Sequence, residues 1–267
     1  MSFKVVIAVF ILSFGGAFLL VSLNQPVSVI EKEIEVGVEE NVEDVEAAPL
    51  SAIDICVQES MADKGVRERV ELKYLICQGA KIDDLSTLAD LVNLEELYLQ
   101  DNALASLETI PELDKLRVIS VANNKNLTSL KGIEKLISLE ELQANKAGIQ
   151  DLSGVEALSN LKIVGLMMND IENVDVFTSL EHLEDVTLNY NNIKDISAFA
   201  GKPKLREFQV YSNAVHDVTP LMENIKLKKV GVRGKGDIPC EQIEQLKSVL
   251  AEDAKVWGPK SCDAPAE

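Results

Sequence analysis

Four cysteines carry the chemistry that is easiest to interpret from spacing. No pair has the C-x-x-C spacing of a common metal site, and neither His182 nor His216 lies near a cysteine in sequence, so zinc binding is not expected. Four cysteines allow three disulfide connectivities. Proximity in sequence favours two local pairs, in which Cys56 bonds to Cys77 and Cys240 bonds to Cys262. Such disulfides indicate an oxidising compartment.

Other motifs give little support for catalysis. The sequence has no G-x-S-x-G, no H-E-x-x-H and no Walker loop, and the glycines of residues 231–236 lack the Walker spacing. Four aspartates recur at related positions, and single carboxylates of this kind are expected to accept hydrogen bonds from the backbone of the next turn rather than to bind metal: Asp84, Asp151, Asp195 and Asp217. We expect no catalytic residue, no cofactor and no metal.

Composition narrows the class of partner. The 267 residues include 44 acidic and 26 basic side chains, which give a formal net charge of -18. Nucleic acid and anionic membrane surfaces are therefore not expected as main partners, because phosphate binding requires clustered lysine and arginine. The 46% hydrophobic content is sufficient for a sizeable core.

A repeat with a period of 22 residues must position all of these side chains. The pattern L-x-x-L-x-L-x-x-N begins at residue 72, and its second position recurs with a spacing of 22 except for one step of 23, at residues 75, 97, 119, 142, 164, 186, 208 and 230. Each turn is predicted to form one short strand whose apolar side chains point inward. The recurring asparagine amide would satisfy backbone groups at the following bend. The sequence predicts an α/β solenoid of about eight turns.

Residues 183–196, LEDVTLNYNNIKDI, resemble the 22-residue class of leucine-rich repeat that is found in internalins and similar bacterial surface proteins. The resemblance covers residues 72–235 and implies a right-handed horseshoe. It also implies a non-catalytic module that binds a protein through the concave face of its sheet. The resemblance does not identify the ligand.

The remaining segments indicate export and capping. Residues 5–23 carry no charge, and at about 1.5 Å per residue they match a bilayer core of roughly 30 Å. The predicted organisation is a signal-anchor or signal peptide (1–23), an acidic flexible linker (24–50), an N-terminal cap helix (51–71), leucine-rich repeats (72–236) and a C-terminal cap and tail (237–267). An uncleaved segment would anchor a monomer that faces the periplasm. A cleaved segment would release it to the exterior or cell surface, and no other part would contact the membrane.

The outward positions of the predicted strands are the candidates for binding. Methionine and tyrosine are typical of protein-contact surfaces, and the basic last turn suits an acidic partner segment. The candidate partner-binding residues are Tyr98, Gln143, Met167, Met168, Asn189, Tyr190, Gln209, Tyr211 and Arg233. The alternatives are a scatter of exposed apolar residues without function and a structural spacer or assembly scaffold of the envelope.

Overall fold

The computed structural model describes residues 49–262. The predicted signal segment and nearly all of the acidic linker lie outside the described residues. Within 49–262, no helix combines the length and the apolar character that a membrane span requires.

One parallel sheet follows the order of the chain. Its nine strands in the described region pair each with the next, in unshifted register: β1 Tyr74–Ile76, β2 Glu96–Tyr98, β3 Val118–Ser120, β4 Glu141–Gln143, β5 Ile163–Gly165, β6 Asp185–Thr187, β7 Glu207–Gln209, β8 Lys229–Gly231 and β9 Lys255–Trp257. The first eight strands are the predicted repeat strands, so the solenoid is confirmed. The ninth strand was not predicted, because it lies outside the repeat and has only Val256 on its inner side.

Short 3₁₀ helices occur in most of the turns. They lie between strands or in the caps, at Arg69–Glu71, Ser86–Leu88, Ile133–Lys135, Val155–Ala157, Asp175–Phe177, Ser197–Phe199, Thr219–Glu223 and Lys260–Cys262. The core between helices and sheet is a continuous ribbon of leucine, isoleucine and valine. In the later turns phenylalanine joins this ribbon, and the rings of Phe199 and Phe208 are 4.7 Å apart. Each turn buries its apolar side against the next, as expected for a repeat protein.

Two α-helices lie at the ends of the ribbon. Helix α1 (Ala52–Lys64) is capped by Ser51, which accepts the backbone N–H of Asp54, and it packs on β1. Helix α2 (Cys240–Val249) packs on the 3₁₀ helices at 219–223 and 260–262. These helices shield apolar turn ends that have no neighbouring repeat.

One disulfide joins each cap to the adjacent structure. Cys56 of α1 is bonded to Cys77, and Cys240 of α2 is bonded to Cys262. These are the two pairs that proximity in sequence favoured. Neither disulfide crosses the repeats, so each one constrains a terminal segment of about one turn.

Recurring asparagines connect successive turns. The side-chain amide of Asn191 donates to the carbonyl oxygens of Leu166 and Leu188, each at 2.9 Å, and its oxygen accepts the N–H of Ile171 at 3.1 Å. Asn102, Asn124, Asn169 and Asn213 make the same kinds of bond. The predicted role of the repeat asparagine is confirmed.

Candidate partner-binding surface

The first and third residues of every strand lie on the side of the sheet that faces away from the core, which we call the open sheet face. The middle residue of each strand packs into the apolar ribbon. Row A consists of the first residues: Tyr74, Glu96, Val118, Glu141, Ile163, Asp185, Glu207, Lys229 and Lys255. Row B consists of the third residues: Ile76, Tyr98, Ser120, Gln143, Gly165, Thr187, Gln209, Gly231 and Trp257.

Row A changes sign along the sheet. Its four carboxylates lie between β2 and β7, whereas Lys229 and Lys255 lie on the last two strands. Burial raises the pKa of Asp185, and the like charges of Glu207 and Glu184 act in the same direction against the opposing Arg206. The open sheet face is therefore acidic over most of its length and basic at its C-terminal corner.

A second line of charge borders row A and largely neutralises itself. It consists of the residues just before β1 to β7, which alternate in sign: Lys73, Glu95, Arg117, Glu140, Lys162, Glu184 and Arg206. Lys228, just before β8, breaks the alternation and pairs with Asp253 at 2.8 Å. Glu95 bridges Lys73 and Arg117 at 3.0 Å each, and Arg206 contacts Glu184 at 2.6 Å. Because the charges in this line pair with one another, the charge of row A dominates the field of the open sheet face.

Three predicted binding residues lie in row B. The hydroxyl of Tyr98 donates to Glu96 at 2.7 Å, and this bond, with burial, raises the pKa of Tyr98 to about 12. Gln143 donates to Glu141 at 3.0 Å, and Gln209 reaches Glu207 at 3.4 Å. Each side chain is therefore held by the row A carboxylate of its own strand.

The next predicted residues lie just beyond the strands. Asn189 uses its side-chain oxygen to accept the backbone N–H of Tyr211 at 2.6 Å, so this amide helps to hold the backbone of the next turn. Met167 and Tyr211 are half-buried, and burial raises the pKa of Tyr211. Arg233 donates from Nε to the carbonyl oxygen of Gly258 at 2.9 Å. All four residues border row B.

Met168 and Tyr190 occupy a different position. Both have left-handed backbone, with φ of 58° and 59°, and both are exposed, by 43% and 52%. They precede the bends that Asn169 and Asn191 support. The two residues therefore project at the edge of the open sheet face, whereas Met167 and Tyr211 lie on the face itself.

The repeated aspartates accept backbone N–H groups of their own turns, and Asp151 also accepts the hydroxyl of Ser129 in the preceding turn at 2.9 Å. Asp84 accepts the backbone N–H of Ser86 at 3.3 Å, and Asp151 accepts that of Ser153 at 3.0 Å. A hydrogen bond from the hydroxyl of each serine is the largest of the effects that lower the pKa of the aspartate. The expectation of bonds to the next turn's backbone was wrong, because a serine two residues on completes a local Asx turn. Among residues 49–262, no group of three or more histidine, cysteine or acidic side chains is arranged to hold a metal ion.

The basic last turn was predicted from the sequence, but the two outward residues that β9 adds to this corner were not. Strand β9 places Trp257 beside Gly231 in row B and Lys255 beside Lys229 in row A. The available signal was Lys255-Val256-Trp257, a short alternation that contains the one tryptophan of the sequence. Its register could not be inferred, because the repeat ends before it.

Comparisons with known proteins agree with this architecture. Internalin C2 of Listeria monocytogenes superposes with a TM-score of 0.64 at 20% identity, over 76% of this chain and 94% of that one. A leucine-rich repeat protein of Leptospira interrogans superposes with a TM-score of 0.62 at 21% identity, over 74% of this chain and 53% of that one. No protein-family model matches the sequence.

One curated relative is similar in sequence over a shorter range. A homologue of the protein phosphatase 1 regulatory inhibitor subunit PPP1R7 from Arabidopsis thaliana is 33% identical over 104 residues. The match spans 39% of this chain and 30% of that relative's length. By its sheet, its 22-residue turns and its structural neighbours, this chain has the leucine-rich repeat fold that internalins share.

Proposed function

We propose that this chain is an exported, non-catalytic module that binds a protein partner through its open sheet face. The leucine-rich repeat fold by itself suggests a protein-binding module. The observation that carries the proposal is a continuous nine-stranded face with side chains held in place before any partner arrives. Such preorganisation lowers the entropic cost of binding.

The proposed contact residues are those predicted from the sequence. Tyr98, Gln143, Gln209 and Tyr211 lie on or beside row B, and Met168 and Tyr190 extend the surface over its edge. Tyrosine supplies a large contact area at low entropic cost, and methionine adapts to the shape of a partner. Asn189 acts indirectly, because its amide holds the backbone of Tyr211.

Export is proposed from two features of the chain. Residues 5–23 have the length and composition of a signal-anchor or signal peptide. Disulfides at both caps suit an oxidising compartment. We propose that the acidic linker carries the repeat domain as a monomer away from a membrane that only the N-terminal segment contacts. N-terminal sequencing of the mature protein tests cleavage, and a C-terminal periplasmic reporter tests the compartment.

Photo-cross-linking in the native host tests the binding face. A photoreactive amino acid at Thr187, in row B, is expected to capture a discrete partner. The matched control is the same amino acid at Glu156, which is exposed on a 3₁₀ helix outside the strands. Equal capture at both positions, or no capture at Thr187, would contradict the proposal and favour a spacer or scaffold.

A further inference from the structure

Two glycines of row B have closely similar surroundings. A Cβ built on Gly165 would overlap the amide of Gln143, and a Cβ built on Gly231 would overlap the amide of Gln209. In both cases the side chain of the glutamine on the preceding strand occupies the space above the glycine, where another residue would have its Cβ. Neither glycine has a left-handed φ, so the backbone conformation does not require glycine here. The absence of a side chain instead leaves space for the neighbouring glutamine.

The two sites differ in the residue that lies beside the glutamine amide, and this residue decides whether the amide oxygen is satisfied. The amide oxygen of Gln143 accepts a hydrogen bond from Asn145 at 3.2 Å. Three turns later, Tyr211 stands at the position of Asn145, and its ring lies 2.5 Å from the built Cβ of Gly231. The ring carbons offer no donor to the oxygen of Gln209.

Gln209 therefore carries a buried acceptor without a donor. The residue is only 8% exposed, and its amide oxygen has no hydrogen-bond partner among the described residues. Buried polar groups in folded proteins are nearly always paired, so an unpaired one requires a reason. The half-buried Tyr211 ring lies beside this oxygen, at the place that a donor would have to occupy.

Charge determines which donor-bearing partner fits this corner. Lys255 is exposed in row A, and Lys229 lies beside it in an ion pair with Glu207 at 2.8 Å. The carboxylates of Glu96, Glu141 and Asp185 continue row A in the other direction. A uniformly anionic chain that extends along the face meets these carboxylates and is repelled. A short acidic segment that continues into neutral or basic residues meets no such repulsion.

Trp257 completes the corner. It lies beside Gly231 in the parallel register, and it is 37% exposed. An aromatic side chain at this place offers apolar area to a peptide that crosses the strands. We call the group of Gln209, Tyr211, Gly231 and Trp257 the Gly231 platform.

We propose that the Gly231 platform binds a short acidic segment of a protein partner, whose backbone N–H displaces the Tyr211 ring and donates to the amide oxygen of Gln209. The acidic side chains of this segment face Lys255 and Lys229, and its neutral or basic continuation crosses the row A carboxylates. This inference rests on the proposed function, because it assigns partner chemistry to one corner of the same face.

The intrinsic fluorescence of Trp257 tests the proposal, because the chain has one tryptophan. The full-length protein is titrated with three probes: a synthetic peptide with an acidic half and a basic half, an all-acidic peptide of equal length, and a sulfated polysaccharide. The half-acidic peptide is expected to change the fluorescence and to bind at least about tenfold more tightly than the other probes. Equal or tighter binding of either uniform polyanion would overturn the proposal.

Matched substitutions locate the site. Gly231→Ala is expected to weaken binding of the half-acidic peptide by about tenfold, whereas Gly165→Ala, which meets the equivalent glutamine three strands away, leaves it unchanged. Lys255→Glu is expected to weaken it similarly, and Lys247→Glu on α2 is the control for charge. Equal losses within either pair would overturn the assignment of the platform.

Tyr211→Asn separates binding from folding. The introduced amide reproduces Asn145 and supplies a donor to Gln209, so the variant is expected to unfold at higher denaturant concentration while it binds the peptide more weakly. A variant that is more stable and binds equally well would overturn the role of the unpaired oxygen. If cross-linking at Thr187 still captures a partner while the peptide tests fail, the proposed function stands and only this inference fails.

Discussion

The backbone N–H of Leu127 donates to the carbonyl oxygen of Asn124 at 2.9 Å, within the same turn. The equivalent N–H of Leu104 instead donates to the side-chain oxygen of Asn124, in the next turn. Leu127 has no such acceptor, because Ala147 stands where the next asparagine would be. The one 23-residue step of the repeat falls between these residues. The extra residue allows the N–H of Leu127 to bond to a carbonyl oxygen of its own turn. The insertion therefore compensates for the missing asparagine.

Restoring the consensus at this place is expected to destabilise the protein. Ala147 is fully buried, and Ala147→Asn would add an amide whose natural donor, the N–H of Leu127, already has an acceptor. We expect a loss of about 1–3 kcal/mol in the free energy of unfolding, measured by urea denaturation.

Asn169→Ala is the companion variant. Asn169 accepts the N–H groups of Ala147, Gly148 and Ile149 at 2.9–3.1 Å. Its removal is expected to cost at least about 2 kcal/mol, because several buried groups lose their partner together. If Ala147→Asn stabilised the protein, this would contradict the conclusion that the insertion compensates for the missing asparagine.

The hydroxyl of Tyr98 is expected to lose its proton at a higher pH than an ordinary tyrosine. Its bond to Glu96 is the first cause that raises its pKa to about 12. Because the folded pKa lies above the ordinary value near 10, the stabilisation is complete below about pH 10 and is lost as the pH rises towards 12. Glu96→Gln should move the ionisation of Tyr98 downward, as measured by phenolate absorbance. Tyr98→Phe identifies the transition, and an unchanged titration in Glu96→Gln would contradict this account.

Each cap disulfide should stabilise its own end of the solenoid. The pairs are 21 and 22 residues apart, and loops of this size are stabilised by about 3 kcal/mol. The double variant Cys240→Ala with Cys262→Ala is expected to expose α2 and β9 to hydrogen exchange before the central strands. Uniform exchange throughout the sheet would show that the cap does not unfold separately.

A buried lysine should matter to stability more than its exposed neighbour. Lys202 is 4% exposed, and its Nζ donates to the carbonyl oxygens of Phe177 at 2.8 Å and Thr178 at 2.6 Å. Burial lowers the pKa of Lys202. Lys202→Met is expected to cost about 1–3 kcal/mol, because both carbonyls lose a donor. Lys204→Met, at an exposed position, should stay within about 0.5 kcal/mol in the same denaturation assay.

Much of the architecture was predictable because it is repetitive and local. The spacing of residues such as Leu75 and Leu97 identifies the inner position of each strand. Periodicity of this kind can be recognised in the sequence without any knowledge of contacts. Helix α1 and the pairing of Cys56 with Cys77 follow from short segments. The role of Asn191 follows from the need to satisfy backbone groups at a bend.

The chemistry of the surface depended on contacts between turns. Whether Gln209 finds a donor depends on Tyr211 and on the bare backbone of Gly231, which meet only when adjacent strands align. Strand β9 carries no repeat, so its place beside β8 comes from the exposed edge of that strand and from the packing of α2. The sequence alone therefore determined the period, the core and the caps, because these follow from local pattern. The tertiary structure decided which side chains on the open sheet face are paired and which are unpaired, because pairing depends on register across the strands.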